Sequence, residues 1–408
     1  MKKYQKVLLI ASACLVVGGG IMGVAGIAMG GMPGFVITEE GVRTTQDRKG
    51  KYVEKKAALK DISSLDIDCE DGEIEFVSDS EFYVEYGYDD VYYRMKEEKK
   101  NGTYHLTSRY TDSMRVTGVK FFWGNDITNS KEPYVRIHMP PKTRLENLTL
   151  NCEYGKIKID MDQIEAKNTK ISMESGNFQV RGIKGEKAEI EIEYADMELK
   201  ECEMANLDVV NEGGKSCLSD ISTEKMKVET EYGKLSLTQI AGNTVMVSCE
   251  SGMISLNHLT GEELSITNYY DGIEMEDVTA NTFIHLRNES GSIRMHKVKT
   301  GQMELENESG DVEGSEVEIK TGQMATDYGN FKISGFTAKD VTVTNEDGEI
   351  DLEMMGKEED YSMSMQTEYG EILLNGKSRG TDMTMEREKA KNKLKLMTES
   401  GNISVKTQ

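Results

Sequence analysis

Proline and tryptophan are nearly absent: four prolines and one tryptophan in 408 residues. With so little proline, the 39 glycines mark neither a collagen-like repeat nor a Pro-rich disordered chain. Apolar residues reach only 37%, thin for one large globule and suited to a narrow core shared among many small units. Cations are the minority, 49 Lys+Arg against 72 Asp+Glu, for a formal charge of −23. Phosphate binding needs clustered cations, so nucleic acid is excluded as a partner. Histidine is also sparse. His105, His138, His258, His285 and His296 fall in no HExxH or His-x-His spacing, and there is no GxSxG elbow or phosphate-binding glycine loop. The expectation is a protein without cofactor and without enzymatic activity.

Long apolar runs are confined to one place. Residues 7–38 carry no charge, and 7–32 form a 26-residue apolar run, long enough to span a bilayer. Lys2, Lys3 and Lys6 precede it. By the positive-inside rule this predicts a single-pass transmembrane helix, with a cytoplasmic N-terminus and an extracytoplasmic C-terminal region. A cleaved signal peptide is the alternative, with 8–17 as its apolar core and small residues around 25–28 as the cleavage site. Residues 33–60, mixed in charge and without apolar period, read as a linker.

What the chain has in abundance is repetition. Glu153-Tyr154-Gly155, Glu174-Ser175-Gly176, Glu231-Tyr232-Gly233, Glu250-Ser251-Gly252 and further copies to Glu399-Ser400-Gly401 recur, with degenerate copies at Ala195, Gly214 and Asp271. The anchors make thirteen units with a dominant spacing of 19, and Glu70-Asp71-Gly72 stands as an isolated earlier copy. Five residues before each anchor stand Leu150, Ile171, Ile190, Val209 and their equivalents. Two and four after it stand pairs such as Leu235/Leu237, and seven after it Ile221, Ile240, Leu259 and others. Alternation on both sides of a glycine turn predicts short strands that each bury one face. A 19-residue unit cannot bury that face alone, so the units must stack. The expected fold is all-β: a β-solenoid of about 13 rungs, roughly 60 Å long at about 4.8 Å per rung.

Three columns beside the anchor are candidates for function. Three places before it, Asn and Thr dominate (Asn211, Asn268, Asn288, Asn307, Asn345), which is assigned to rung-to-rung hydrogen bonding. Two places before it runs an acidic ladder. Its members Glu231, Glu250, Glu289, Glu308, Asp327 and Glu346 are candidates for a cation stripe, against the plainer reading of a solvated edge that keeps the rod soluble. The place directly before the anchor alternates between Tyr (Tyr154, Tyr194, Tyr232, Tyr270, Tyr328, Tyr369) and Ser. Such a row could stack on sugars or partner surfaces. Packing beside the turn glycine to shield backbone is the preferred expectation.

Residues 81–140 break the repeat and are rich in aromatics. Alternating runs at 82–88, 91–95, 104–110 and 134–139, with a turn at Asn101-Gly102, predict antiparallel strands that cap the first rung. Phe121, Phe122 and Trp123 could instead contact a ligand. The domain reading is a tail and anchor over 1–32, the linker, a first rung with its cap over 61–145, and the solenoid over 146–408.

This organisation resembles the bacterial putative-adhesin family of β-strand-repeat proteins, a domain of unknown function. The resemblance covers 62–408. It rests on Leu65-Asp66-Ile67 followed by Asp71-Gly72-Glu73-Ile74, on Val135-Arg136-Ile137-His138-Met139-Pro140, and on the recurring xGxIxL units. It implies a surface protein at the bacterial cell membrane, acting as a binding or adhesion scaffold. The alternative it implies is an envelope-stress sensor or modulator. The partners expected are a cell-envelope polymer, a cationic peptide or a surface protein. A polysaccharide hydrolase or lyase is the lesser reading, since β-solenoids that cleave acidic polymers need an electropositive groove and this rod is acidic.

Beyond Cys14, five cysteines remain (Cys69, Cys152, Cys202, Cys217, Cys249), an odd number that predicts buried free thiols. The last spacing, 31, holds a net-basic insertion from Asn375 to Lys393. It is expected to fold across the final rung as a charged cap.

Overall fold

The computed structural model describes residues 51–90, 92–111 and 131–408, together with the paired backbone strands Phe35–Thr38 and Gly41–Thr44. Among these residues the regular elements are all strands apart from one 3-10 turn, Glu358–Asp360. The 19-residue columns stack as the alternation requires. Ser216–Tyr232, Leu235–Ser251, Ile254–Tyr270 and Ile273–Ser290 run parallel, with Leu235 opposite Ile254 and Ile254 opposite Ile273. The fold is a β-solenoid.

Within one rung the pairing falls into three stretches, 235–238, 240–242 and 244–249. Leu235, Leu237, Ile240, Val245, Val247 and Cys249 point inward and are buried. Equivalent residues of every rung join one continuous core from Leu59 to Val405. Where a unit has 20 residues, the extra one is absorbed at a corner: the register shifts between Ala280 and Phe283, and Asn281 and Thr282 both bond the Glu262 carboxylate below.

Two corners need special backbone. At the anchor, Gly252 has φ +155°, and a Cβ there would lie 1.9 Å from the carbonyl oxygen of Gly233 in the next rung. The close stacking of turns therefore demands glycine. Six residues after most anchors runs a second column in left-handed conformation. Glu201, Asp220, Gln239, His258, Asp277, Lys297 and Glu316 hold φ between 53° and 56°. Each costs about 1–2 kcal/mol relative to ordinary backbone, and the stacked rungs hold it in place.

Both ends of the stack are threaded out of sequence order. At the N-terminal end Ser64–Ser78 forms the Gly72 rung, with Ile67 opposite Leu150 and Ile74 opposite Ile157. Its other side is covered by Thr103–Tyr110 and Tyr134–Met139, which pair parallel to it and together make one more rung. The expected antiparallel cap is thus one layer further out than the sequence suggested. Tyr93–Lys100 pairs antiparallel with Thr103–Tyr110 through the Asn101-Gly102 turn, and Tyr83–Asp89 pairs antiparallel with Tyr134–Met139. Tyr52–Ala58 then adds to Tyr83–Asp89. The linker expected over 33–60 is corrected accordingly, since its last part is an edge strand of the cap.

At the C-terminal end the final segment is inserted inside the stack. Asn392–Ser400 pairs with Phe331–Asp347 on one side and with Tyr361–Tyr369 on the other. Ile403–Thr407 lies likewise between Ile350–Met354 and Ile372–Leu374. The outermost rung is therefore that of Gly370, not Gly401. Lys377–Ser378 and Asp382–Met385 run antiparallel along its open edge. The basic insertion caps the stack, at a different rung from the one expected.

Among the described residues no helix is long and apolar enough to cross a membrane. The expected single-pass placement is corrected on that finding: the described chain supplies no spanning helix, and the run 7–32 on which it rested lies outside the described residues.

Candidate functional site

The anchor turn brings three columns to one edge of the solenoid. The innermost is buried. Asn345 Nδ2 donates to the Gly329 carbonyl at 2.8 Å, and Asn268 Nδ2 to the carbonyls of Asp271 at 2.8 Å and Gly252 at 3.2 Å. Asn288 bonds Gly291 O at 2.8 Å and Asn307 Oδ1 at 3.0 Å. Thr367 and Thr398 do the same through Oγ1, to Gly401 O and Gly348 O. These side chains satisfy the turn carbonyls that the inward bend removes from water. The structural reading of this column holds.

The next column faces out. Glu231, Glu250, Glu308 and Glu346 are exposed, while Glu289 and Asp327 are partly covered. Successive carboxylates stand one rung apart except where Tyr269 separates Glu250 from Glu289, and none of these six forms an ion pair among the described residues. Among the described residues no group of three or more His, Cys, Asp or Glu is arranged to hold a metal ion. At the N-terminal end the ladder runs into protein: Arg109 pairs with Asp68 and Glu70. Burial, then the Glu70 and Glu174 carboxylates, pushes the Glu153 carboxyl above its ordinary range.

The corner column overturns the expectation of backbone shielding. Tyr154, Tyr194, Tyr232, Tyr270, Tyr328 and Tyr369 are between 49% and 76% exposed. The turn glycines leave no depression for a ring, because the space over each is filled by the neighbouring turn's carbonyl. The rings lie exposed along the edge, and that of Tyr194 leans over Gly213 of the next rung, its Cδ1 3.2 Å from where a Cβ on that glycine would stand. Beside them a cleft of about 620 Å³ is lined by Glu229, Glu231, Glu250, Glu289, Tyr269 and Tyr270.

A second groove, of about 740 Å³, crosses the outer face of the strand after the anchor. Arg294 lies 3.5 Å from Glu274 and 3.2 Å from Glu313 in the rungs on either side. His296 Nδ1 is 2.7 Å from Ser315 Oγ. Ser315 is paired in register with His296 on one side and Ser334 on the other, so the contact is a rung-to-rung hydrogen bond within a ladder. The remaining histidines pair separately: His105 with Asp66, His138 with Asp79, His258 with Asp277, and His285 with Glu304.

Among the described residues five cysteines are free: Cys69, Cys152, Cys202 and Cys249 are buried, and Cys217 is half-buried. Cys69 and Cys152 are register partners in adjacent rungs. Burial pushes the Cys152 thiol up to about 12 and the Cys202 thiol up to about 11, and raises Cys69 as well. Phe121, Phe122 and Trp123 lie outside the described residues. The left-handed column was missed, although its sequence carries a signal: no β-branched residue, Phe, Tyr or Trp stands at Gly182, Glu201, Asp220, Gln239, His258, Asp277, Lys297, Glu316 or Gly335.

Comparison with curated proteins finds no match. Among solved structures, a putative cell adhesion protein from Clostridium sporogenes is 11% identical, covering 88% of this chain and 100% of that chain, with a TM-score of 0.18. A putative lipid binding protein from Parabacteroides distasonis is 12% identical, covering 71% and 97%, with a TM-score of 0.32. A putative adhesin from Parabacteroides merdae is 13% identical, covering 74% and 97%, with a TM-score of 0.28. Likenesses this distant carry nothing about function. At the level of sequence families the match is direct, for Toastrack DUF4097 covers residues 62–244 and again 238–406, and the chain belongs to that family.

Proposed function

We propose that this chain is a surface-binding scaffold whose working face is the tyrosine and glutamate edge of the solenoid. One observation carries the reading: the six corner tyrosines stand exposed in one column, where folding alone would be served equally well by the serines that occupy the same column in other rungs. Exposed aromatic rows on a rigid rod give contact area at low entropic cost, because each ring has few rotatable bonds and the backbone beneath is fixed. The acidic column beside them favours a partner that carries cations or hydroxyl donors.

The test is binding of the full chain to isolated bacterial envelope fragments. Tyr232→Ser with Tyr270→Ser is expected to weaken it several-fold. Met246→Ser, at another exposed apolar position, should leave it unchanged. Unaltered binding by the tyrosine variant contradicts the proposal.

A further inference from the structure

The corner tyrosines are not evenly distributed. From Gly155 to Asp271 the corner reads Tyr154, Ser175, Tyr194, Gly213, Tyr232, Ser251, Tyr270, a strict alternation of ring and small residue over seven consecutive rungs. Parallel pairing keeps the rungs from Tyr194 to Tyr270 in sequence order, and before them Gly176 stacks on Gly155 while Arg181 and Lys184 reach Glu201 and Glu203 of the rung that follows. At about 4.7–4.9 Å per rung, exposed rings recur about every 9.4–9.8 Å, and the small residue between makes room for a ring to lean over it: Tyr194 Cδ1 lies 3.2 Å from where a Cβ on Gly213 would stand. A polyproline II helix repeats every three residues at about 3.1 Å each, or about 9.3 Å. The two periods agree to within about 5%, so one turn of such a helix meets each ring without drifting out of phase across the four tyrosines.

The chemistry agrees with the spacing. Aromatic-lined surfaces are the standard receptors for polyproline II segments, whose pyrrolidine rings pack flat against aromatic faces and whose backbone is already extended. Glu193, Glu212, Glu231 and Glu250 run beside the rings and form no ion pair among the described residues. They complement cations on the ligand. Glu229, Glu231, Glu250 and Tyr270 meet in the cleft already described, which lies on this same stretch. We infer that the edge from Tyr154 to Tyr270 is a docking strip for a basic, proline-containing peptide in polyproline II conformation, laid parallel to the solenoid axis. This inference rests on the scaffold reading and names its ligand class.

The probe is the synthetic peptide (Pro-Pro-Arg)4, titrated into the full chain by calorimetry. Two controls accompany it: (Gly-Ser-Arg)4, equal in charge but flexible, and a neutral linear β-1,4-linked N-acetylglucosamine oligomer. The expected result is saturable binding of the proline peptide and binding at least about tenfold weaker for the flexible one, because it must lose chain entropy on docking. Tyr232→Ser with Tyr270→Ser should cost about tenfold or more, since serine is native to this column and leaves the fold intact. Glu231→Gln with Glu250→Gln should weaken binding and flatten its salt dependence. Equal binding of both peptides, or binding of the glycan alone, overturns the inference, as does a tyrosine variant that binds like the parent. If the peptide fails while envelope binding still depends on Tyr232 and Tyr270, this inference falls and the scaffold reading stands. If envelope binding ignores those residues, both fall.

Discussion

Asn345 holds the turn of the rung before it: its Nδ2 donates to the Gly329 carbonyl at 2.8 Å, inside the core. The same relation links Asn211 to Ala195 at 3.2 Å. Asn345→Ala should therefore strand a buried carbonyl and cost about 1–3 kcal/mol. Asn345→Thr should cost less, because Thr398 makes the equivalent bond to Gly348 at 3.2 Å. Chemical denaturation of both variants measures the difference.

Gly252→Ala should cost about 3 kcal/mol or more, since its Cβ would collide with the Gly233 carbonyl and its φ is +155°. The left-handed column should respond in the opposite sense. Gln239→Gly relieves a φ of 55° at a corner and is expected to stabilise by up to about 1 kcal/mol, the strain relieved less the entropy glycine adds to the unfolded chain. A loss of stability in that variant would mean the side chain contributes more than the backbone costs.

These two columns show what the sequence can carry. The glycine turns and the inward apolar positions were legible because every rung repeats the same environment, so thirteen copies report one constraint. The order of rungs at the ends was not legible, for the same reason. Leu396 and Met365 occupy equivalent positions and are both fully buried, so either rung can follow that of Val343. Tyr52–Ala58 was hidden because an edge strand packs little of either face, and its alternation is interrupted by Glu54, Lys55 and Lys56. The exposure of the tyrosines could not be read from residue type. It follows from how closely the neighbouring turns approach.

Rung order at the C-terminal end can be read by crosslinking. Thr344 lies directly opposite Met397, and Met397 directly opposite Gln366. In a Cys217→Ser background, Thr344→Cys with Met397→Cys should join through a short bifunctional reagent. Thr344→Cys with Gln366→Cys, two rungs apart at about 9.6 Å, should join far less. The reverse pattern would restore sequential order.

The free thiols should separate by burial. Cys217 is expected to alkylate first in the native protein, while Cys69, Cys152, Cys202 and Cys249 react only on unfolding, their thiolates disfavoured by burial. Mass spectrometry of a timed alkylation distinguishes the order.

Glu153 gives a pH signature. Its carboxyl is raised in the folded state, so the unfolded chain releases that proton at lower pH and the group opposes folding above its ordinary value. Glu153→Gln should therefore stabilise at pH 7, by less than about 1 kcal/mol, and make no difference at pH 3.5. A gain that persists at pH 3.5 would point to packing instead of charge.

The most direct test of the central claim, that the tyrosine edge is the working face, is a tyrosine-labelling footprint with and without bound envelope fragments. Tyr194, Tyr232 and Tyr270 should label in the free protein and be protected on binding. Tyr86, Tyr104 and Tyr361, which are fully buried, should label in neither state. Protection that leaves the corner tyrosines reactive and falls instead on the groove around Arg294 and His296, read by carbodiimide labelling of Glu274 and Glu313, would contradict it.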